Sequence, residues 1–77
     1  MNTADETIQI KLSKAQAIVL FELLTNQDES ETFKYDHEAE QRTVWKLQAQ
    51  LETTLVEPLK DDYLSVLEQA RREVAAE

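Results

Sequence analysis

His37 is the only histidine among the 77 residues, and acidic residues surround it at positions 36, 38 and 40. A metal site on helices needs histidine and carboxylate ligands three or four positions apart, with further ligands on a second helix. His37 and Glu40 have this spacing, but no cysteine and no second histidine complete the set. We therefore predict that His37 lies exposed in the first turn of a helix, and that the protein holds no metal and no cofactor.

The other routes to catalysis each lack a residue type that their chemistry requires. Phosphate-binding loops need glycine for close backbone approach and thiol catalysis needs cysteine, yet the chain contains neither. The serines Ser13, Ser30 and Ser65 have no histidine at a spacing that would activate them. The acidic run 28–31 lacks the glycine and the alternating acids of a calcium-binding loop. The composition therefore predicts that the protein is not an enzyme.

The net charge of −8 limits the partners that the chain can bind. Nucleic acids and anionic membranes attract basic surfaces, so we expect neither as a partner. Six acids lie between residues 28 and 40 with only Lys34 among them, which fits a basic protein partner. The longest apolar run, 17–21, is far shorter than the ~20 residues that span a bilayer. With no basic start to indicate a signal peptide, the sequence predicts a cytoplasmic protein.

Residues 1–6 are polar and are predicted to be a disordered tail before a single small domain, 7–77.

Two short segments of this domain show the alternation of polar and apolar residues that is typical of strands. In residues 7–12 polar and apolar side chains alternate, with Ile8 and Ile10 on one side, which predicts a short strand with one buried face. Phe33 and Tyr35 alternate in the same way and suggest a second strand.

The first predicted helix is the strongest structural signal in the sequence. Ser13 and Gln16 fit a capping box, in which each side chain bonds to the other residue's backbone amide. The helix is predicted to span about 14–26, with Asn26 in the left-handed conformation at its end. Its apolar side chains point in nearly every direction, and Glu22 is the only acid in its body. Such a helix must be buried on all sides, so we expect it at the centre of the fold.

Two further helices complete the prediction. Asp36 is a favourable N-cap, so the second helix should begin near Asp36 or His37. It should end before Pro58, because the residue preceding a proline is disfavoured in helical geometry. A third helix is predicted from Asp62 to about Ala75. The expected fold class is therefore α+β, mainly α: a short N-terminal strand, a second strand near the aromatic pair, and three helices with the first one central.

Five apolar residues are candidates for an interface, because two helices and a small sheet cannot cover every side of the first helix. Leu20 and Leu24 lie four positions apart on one side of that helix, where they would form an apolar patch. Ile8 and Ile10 lie on the predicted edge strand, which could pair with a second copy. Trp45 fits three roles: core residue, contact between copies, or anchor for a partner. These residues predict a homodimer.

Several segments match a pattern known from other sequences over roughly residues 8–72. The matching positions are 12–24, 39–42, 50–52 and 55–58, together with Trp45, Leu47, Asp62, Tyr63, Ala70 and Arg71. In these positions the chain resembles a family of short bacterial proteins of unknown function. The resemblance implies a stand-alone bacterial domain, and it implies no activity, cofactor or partner.

Two functions remain as expectations. The first is a small non-catalytic protein-interaction or regulatory module that associates with a second copy. The alternative is an acidic neutraliser of a basic partner, of the antitoxin, immunity-protein or nucleic-acid-mimic type. One continuous negative patch would favour the neutraliser, whereas mixed signs on the surface would favour the module.

Overall fold

A computed structural model describes residues 6–77, which fold into three α-helices joined by short connections. The helices are α1 (Lys14–Glu29), α2 (Glu38–Thr54) and α3 (Tyr63–Ala75), and a 3-10 helix, Glu57–Leu59, lies between α2 and α3. No strand occurs in this part of the chain. The fold is all-α, and the prediction of an α+β fold with an N-terminal strand is wrong. The predicted tail, 1–6, lies outside the described residues except for Glu6.

Both predicted strands fail because neither segment finds a partner strand. Residues 6–12 have no regular secondary structure, and the side chains of Ile8 and Ile10 are 91% and 72% exposed. An isolated strand is unstable, since its backbone groups need a neighbouring strand to bond with. The aromatic rings of Phe33 and Tyr35 instead pack on each other in the loop after α1, with centroids 5.6 Å apart. Alternation in this second segment therefore reflects local aromatic packing and not a sheet.

The N-terminus of α1 carries the capping box that the sequence predicts. The Ser13 hydroxyl accepts a hydrogen bond from the Gln16 backbone amide at 3.0 Å. The Gln16 side chain accepts from the Ser13 amide at 2.9 Å in return. These two bonds satisfy amides that have no partner within the helix, and they fix where the helix begins.

The C-terminus of α1 differs from the prediction. The helix continues through Asn26 to Glu29, and the left-handed position falls on Glu31, with φ 55°. The Thr32 amide donates to the Gln27 carbonyl at 3.0 Å, and the Glu31 amide donates to the Asp28 carbonyl at 3.2 Å. This pair of bonds defines a Schellman motif, whose left-handed residue is usually glycine. The chain contains no glycine, so a glutamate takes the position.

Replacing Glu31 with glycine should raise the free energy of unfolding by about 1 kcal/mol, because glycine has no Cβ to clash in this conformation. The matched control is Glu29→Gly, which removes the same charge from the last turn of α1. That change should lower stability by about 1 kcal/mol, since glycine is unfavourable within a helix. Urea denaturation measures both values. A Glu31→Gly protein no more stable than the wild type would contradict the assignment.

The N-cap of α2 is His37 and not Asp36 as predicted. The Nδ1 atom of His37 accepts a hydrogen bond from the Ala39 amide at 3.0 Å. The Glu40 carboxylate accepts from the Asp36 amide at 3.1 Å, one residue before the cap. The imidazole is exposed, as expected, but it caps the helix and does not lie within the first turn. The unprotonated ring nitrogen performs the role that a serine or aspartate oxygen has in most helices.

Helix α1 packs against both α3 and α2 and therefore lies between them, with the more extensive contact to α3. Seven residues form the buried core: Ala15, Ile18, Leu24, Leu51, Leu55, Leu67 and Ala70. Ala15 and Leu24 lie about 180° apart around α1, so the helix is covered on two opposite sides. Leu23 is 51% exposed, and Leu20 is half-buried. One copy of the chain thus does not enclose α1 on all sides.

The molecule exposes more surface than a compact folded protein of the same mass. Its accessible surface is 6485 Å², whereas a folded monomer of this mass exposes about 4,800 Å² by the usual scaling. The molecule measures 43 × 27 × 24 Å, and its Cα radius of gyration is 14.2 Å. A compact chain of this length has a radius of gyration of about 11.5 Å. Three helices, with residues 6–12 exposed beside them, leave a large surface uncovered.

Candidate functional site: an acidic aromatic cleft

A cleft opens where the end of α1, the following loop and the first half of α2 meet. Its volume is about 420 Å³, and its lining residues are Gln27, Asp28, Glu31, Phe33, Tyr35, Gln41 and Trp45. Three of these side chains are aromatic, two are carboxylates and none is cationic. We call this feature the acidic aromatic cleft. The Schellman motif at the end of α1 positions it, because that motif turns the chain back towards α2.

A hydrogen bond between two helices fixes one wall of the acidic aromatic cleft. The indole Nε1 of Trp45 on α2 donates to Oδ1 of Asp28 on α1 at 2.9 Å. The Trp45 side chain is 48% exposed, so one part of the ring remains open to solvent. The bond holds the ring in place and keeps a carboxylate beside it. Trp45 is therefore not a fully buried core residue, and the roles of contact between copies and partner anchor stay open.

Another lining residue, Tyr35, carries an unpaired hydroxyl. The Tyr35 ring packs on Phe33, and its hydroxyl oxygen is inaccessible to solvent yet has no hydrogen-bond partner. Burial of this hydroxyl, together with the charge of Asp28, raises the pKa of Tyr35. Buried polar atoms are almost always paired, so this hydroxyl is an exception among the described residues.

The cleft combines carboxylates with aromatic rings. Among residues 6–77, no group of three His, Cys, Asp or Glu side chains is placed to hold a metal ion. His37 uses one ring nitrogen as the cap of α2 and does not line the acidic aromatic cleft. Carboxylates beside the faces of aromatic rings attract cations, and this is the chemistry that the cleft offers.

A second open surface involves two of the predicted interface residues. Ile8 and Ile10 lie beside α2 and form a cleft of about 460 Å³ with Thr43, Lys46, Leu47 and Gln50. We call this feature the apolar cleft. Leu47 is half-buried, whereas both isoleucines are exposed. The structure thus brings Ile8 and Ile10 to one side of α2, although they do not form the strand that was predicted for them.

The other two predicted interface residues are not exposed. Leu24 is only 7% exposed and belongs to the core, and Leu20 is half-buried against it. The prediction that these leucines form an apolar patch at i,i+4 is wrong for Leu24, because neighbouring helices cover both sides of α1. Leu23 is the large apolar residue of α1 that remains open, at 51% exposure.

Glu22, in the middle of α1, has a specific partner on α3. The Tyr63 hydroxyl donates to Oε2 of Glu22 at 2.7 Å, in a partly buried position. Burial, followed by this hydrogen bond to the carboxylate, raises the pKa of Tyr63 far above its ordinary value of 10.0. The neutral phenol is the form that donates, so the pair holds α1 to α3 only while Tyr63 is protonated.

This pair predicts a loss of stability at high pH. Because the pKa of Tyr63 is raised in the folded state, its contribution is complete below pH 10.0, the ordinary value. The contribution is lost as the pH rises through the folded-state pKa. We expect the Tyr35→Phe protein, which retains Tyr63 alone, to show its tyrosinate absorbance at higher pH when folded than in urea. The same midpoint in both conditions would contradict the pairing.

The Asp28–Trp45 contact could not be found from the sequence. The two residues lie 17 positions apart, and the acids around Asp28 are typical of a solvated loop. Only the turn at Glu31, in a chain without glycine, brings the end of α1 to the side of α2. The clustering of acids between residues 28 and 40 was the one available signal, and it indicated charge without indicating the aromatic rings.

No helix within residues 6–77 combines the length and the apolar character needed to cross a membrane. Comparisons of the chain with protein-family models, with curated proteins and with solved structures found no match.

Proposed function

We propose that the protein is a non-catalytic interaction module of the cytoplasm that associates with a second copy of itself. The observation that carries the proposal is the exposure of Ile8 and Ile10, at 91% and 72%, beside the apolar cleft on α2. Exposed β-branched side chains next to an apolar groove are costly in water and are typical of interaction surfaces.

The excess surface of the single chain supports this proposal. The chain exposes 6485 Å², about 1,700 Å² more than a compact monomer of its mass. A stable interface of standard size buries about 800 Å² on each partner. A second copy could therefore cover such an area and still leave each chain with more exposed surface than the scaling predicts.

The shortage of buried residues on α2 gives further support. This helix has 17 residues, but Leu51 is the only one of them that is buried. Val44 and Leu47 are half-buried and pack against the core cluster, whereas Trp45 and Ala49 are exposed and do not belong to it. Small domains rarely reach useful stability with so few buried side chains, and self-association is a common remedy. In a symmetric pair the apolar cleft of each copy would cover that of the other.

Sedimentation equilibrium tests self-association directly. We expect the apparent mass to rise from 8.9 kDa towards twice that value as the concentration increases from about 1 µM to about 300 µM. The association should persist in high salt, because apolar contacts are not screened. A mass that stays at the monomer value over the whole range would refute the proposal.

A second candidate function is neutralisation of a basic partner, and the acidic aromatic cleft is the observation that favours it. The cleft has two carboxylates and no cationic lining residue. Binding through this cleft would weaken with salt, whereas self-association through the apolar cleft would not. Salt dependence therefore separates the two functions.

A further inference from the structure

We infer that the acidic aromatic cleft receives an arginine side chain of a basic protein partner. The inference rests on the second candidate function and does not require self-association, because the apolar cleft shares no lining residue with it. The argument depends on two properties of the cleft: its rings and its charge.

The rings select for a planar cation. Trp45, Phe33 and Tyr35 line the same cleft, and nearly half of the Trp45 side chain is exposed. Cations are attracted to the faces of aromatic rings, and tryptophan attracts them most strongly. A guanidinium group is flat and weakly hydrated, so it stacks on such faces at a lower desolvation cost than a lysine ammonium.

The carboxylates provide the matching charge. Asp28 and Glu31 line the cleft, and neither forms an ion pair with a cation in the described part of the chain; the pairs there are Lys14–Glu57, Arg42–Glu38 and Arg72–Glu68. The Trp45 indole bonds to Oδ1 of Asp28 only. Its Oδ2 atom can therefore accept a hydrogen bond from a guanidinium that stacks on the neighbouring ring.

The donors of a guanidinium match the two carboxylates. A guanidinium carries five N–H donors and no acceptor, so it can donate to more than one carboxylate oxygen at once. The cleft volume of about 420 Å³ suits a single side chain rather than a folded partner domain.

The single tryptophan makes the test direct, since all tryptophan fluorescence comes from Trp45. We would titrate the protein with a short acetylated and amidated peptide in which arginine alternates with alanine. Two matched peptides replace arginine by lysine, which has the same charge, and by citrulline, which has the same shape without the charge. We expect the arginine peptide to change the fluorescence at the lowest concentration, the lysine peptide to bind about threefold more weakly, and citrulline to have no effect.

Two double variants separate the cleft from the overall charge. Asp28→Asn with Glu31→Gln removes both negative charges of the cleft and should weaken binding of the arginine peptide about fivefold. The amide oxygen introduced at position 28 can still accept the hydrogen bond from the Trp45 indole. Glu52→Gln with Asp61→Asn removes the same charge at exposed positions outside the cleft, and it should weaken binding less than about twofold.

Three results would overturn the inference. One is equal weakening by the two double variants, which would mean that net charge alone attracts the peptide. Another is equal binding of the lysine and arginine peptides, and the third is an unchanged fluorescence with every peptide. Each of these results leaves the sedimentation result unaffected, so failure of this inference is distinguishable from failure of self-association.

Discussion

Replacing Leu67 with alanine should lower the free energy of unfolding by about 3 kcal/mol, within the range for truncated core leucines. Leu67 is 3% exposed in the middle of α3, where it packs in the only core of the described chain. Few side chains could repack into the cavity that the substitution leaves, because the buried cluster has only seven residues. Since small domains are stable by only about 5 kcal/mol, the variant should be close to unfolding at room temperature.

Leu64→Ala is the matched control for this prediction. Leu64 lies three residues earlier on α3 but is 78% exposed, so its truncation should change stability by less than about 0.5 kcal/mol. Urea denaturation followed by circular dichroism, at a concentration where the protein is monomeric, measures both variants. Equal losses for Leu64 and Leu67 would mean that α3 packs through a different face.

Replacing Ile8 and Ile10 together with aspartate should weaken self-association about a hundredfold. In the proposed dimer both side chains leave water, and a carboxylate in the same place would have to be buried without a partner. The fold of each copy should survive, because these side chains are 91% and 72% exposed in the single chain. Sedimentation equilibrium measures the association, and circular dichroism confirms that the helices remain.

The control for this variant is Leu59→Asp with Leu64→Asp. These leucines are 87% and 78% exposed, and neither lines the apolar cleft. The control adds the same charge, so it accounts for repulsion between acidic copies. It should weaken association less than about threefold. If the control disrupts association as strongly as the double isoleucine variant, the contact between copies lies elsewhere.

The sequence predicted the helices well because their signals are local. The capping box at Ser13 and Gln16 begins α1 at the predicted residue, and α2 ends before Pro58. The predicted N-cap of α2 was wrong by one residue, because the His37 ring nitrogen caps the helix in place of the Asp36 side-chain oxygen. Hydrogen bonds within one turn of the chain are readable from residue types alone.

The strands and the cleft could not be read in this way, because both depend on residues distant in the chain. Residues 7–12 have strand-like alternation, but a strand exists only when another strand lies beside it. The left-handed position was assigned to Asn26 on residue preference, whereas Glu31 occupies it because α1 continues for another turn. Tertiary packing decides such cases, and it also decides that Asp28 meets Trp45.

The central claim is that a second copy covers the apolar cleft, and isotope-filtered NMR tests it most directly. A mixture of labelled and unlabelled protein, at a concentration where sedimentation shows association, reports only the contacts that join two different copies. We expect contacts between the methyl groups of Ile8 or Ile10 in one copy and residues of α2 around Leu47 in the other. An associated sample whose contacts between copies involve other surfaces, with the isoleucine methyl groups still in water, would contradict the claim.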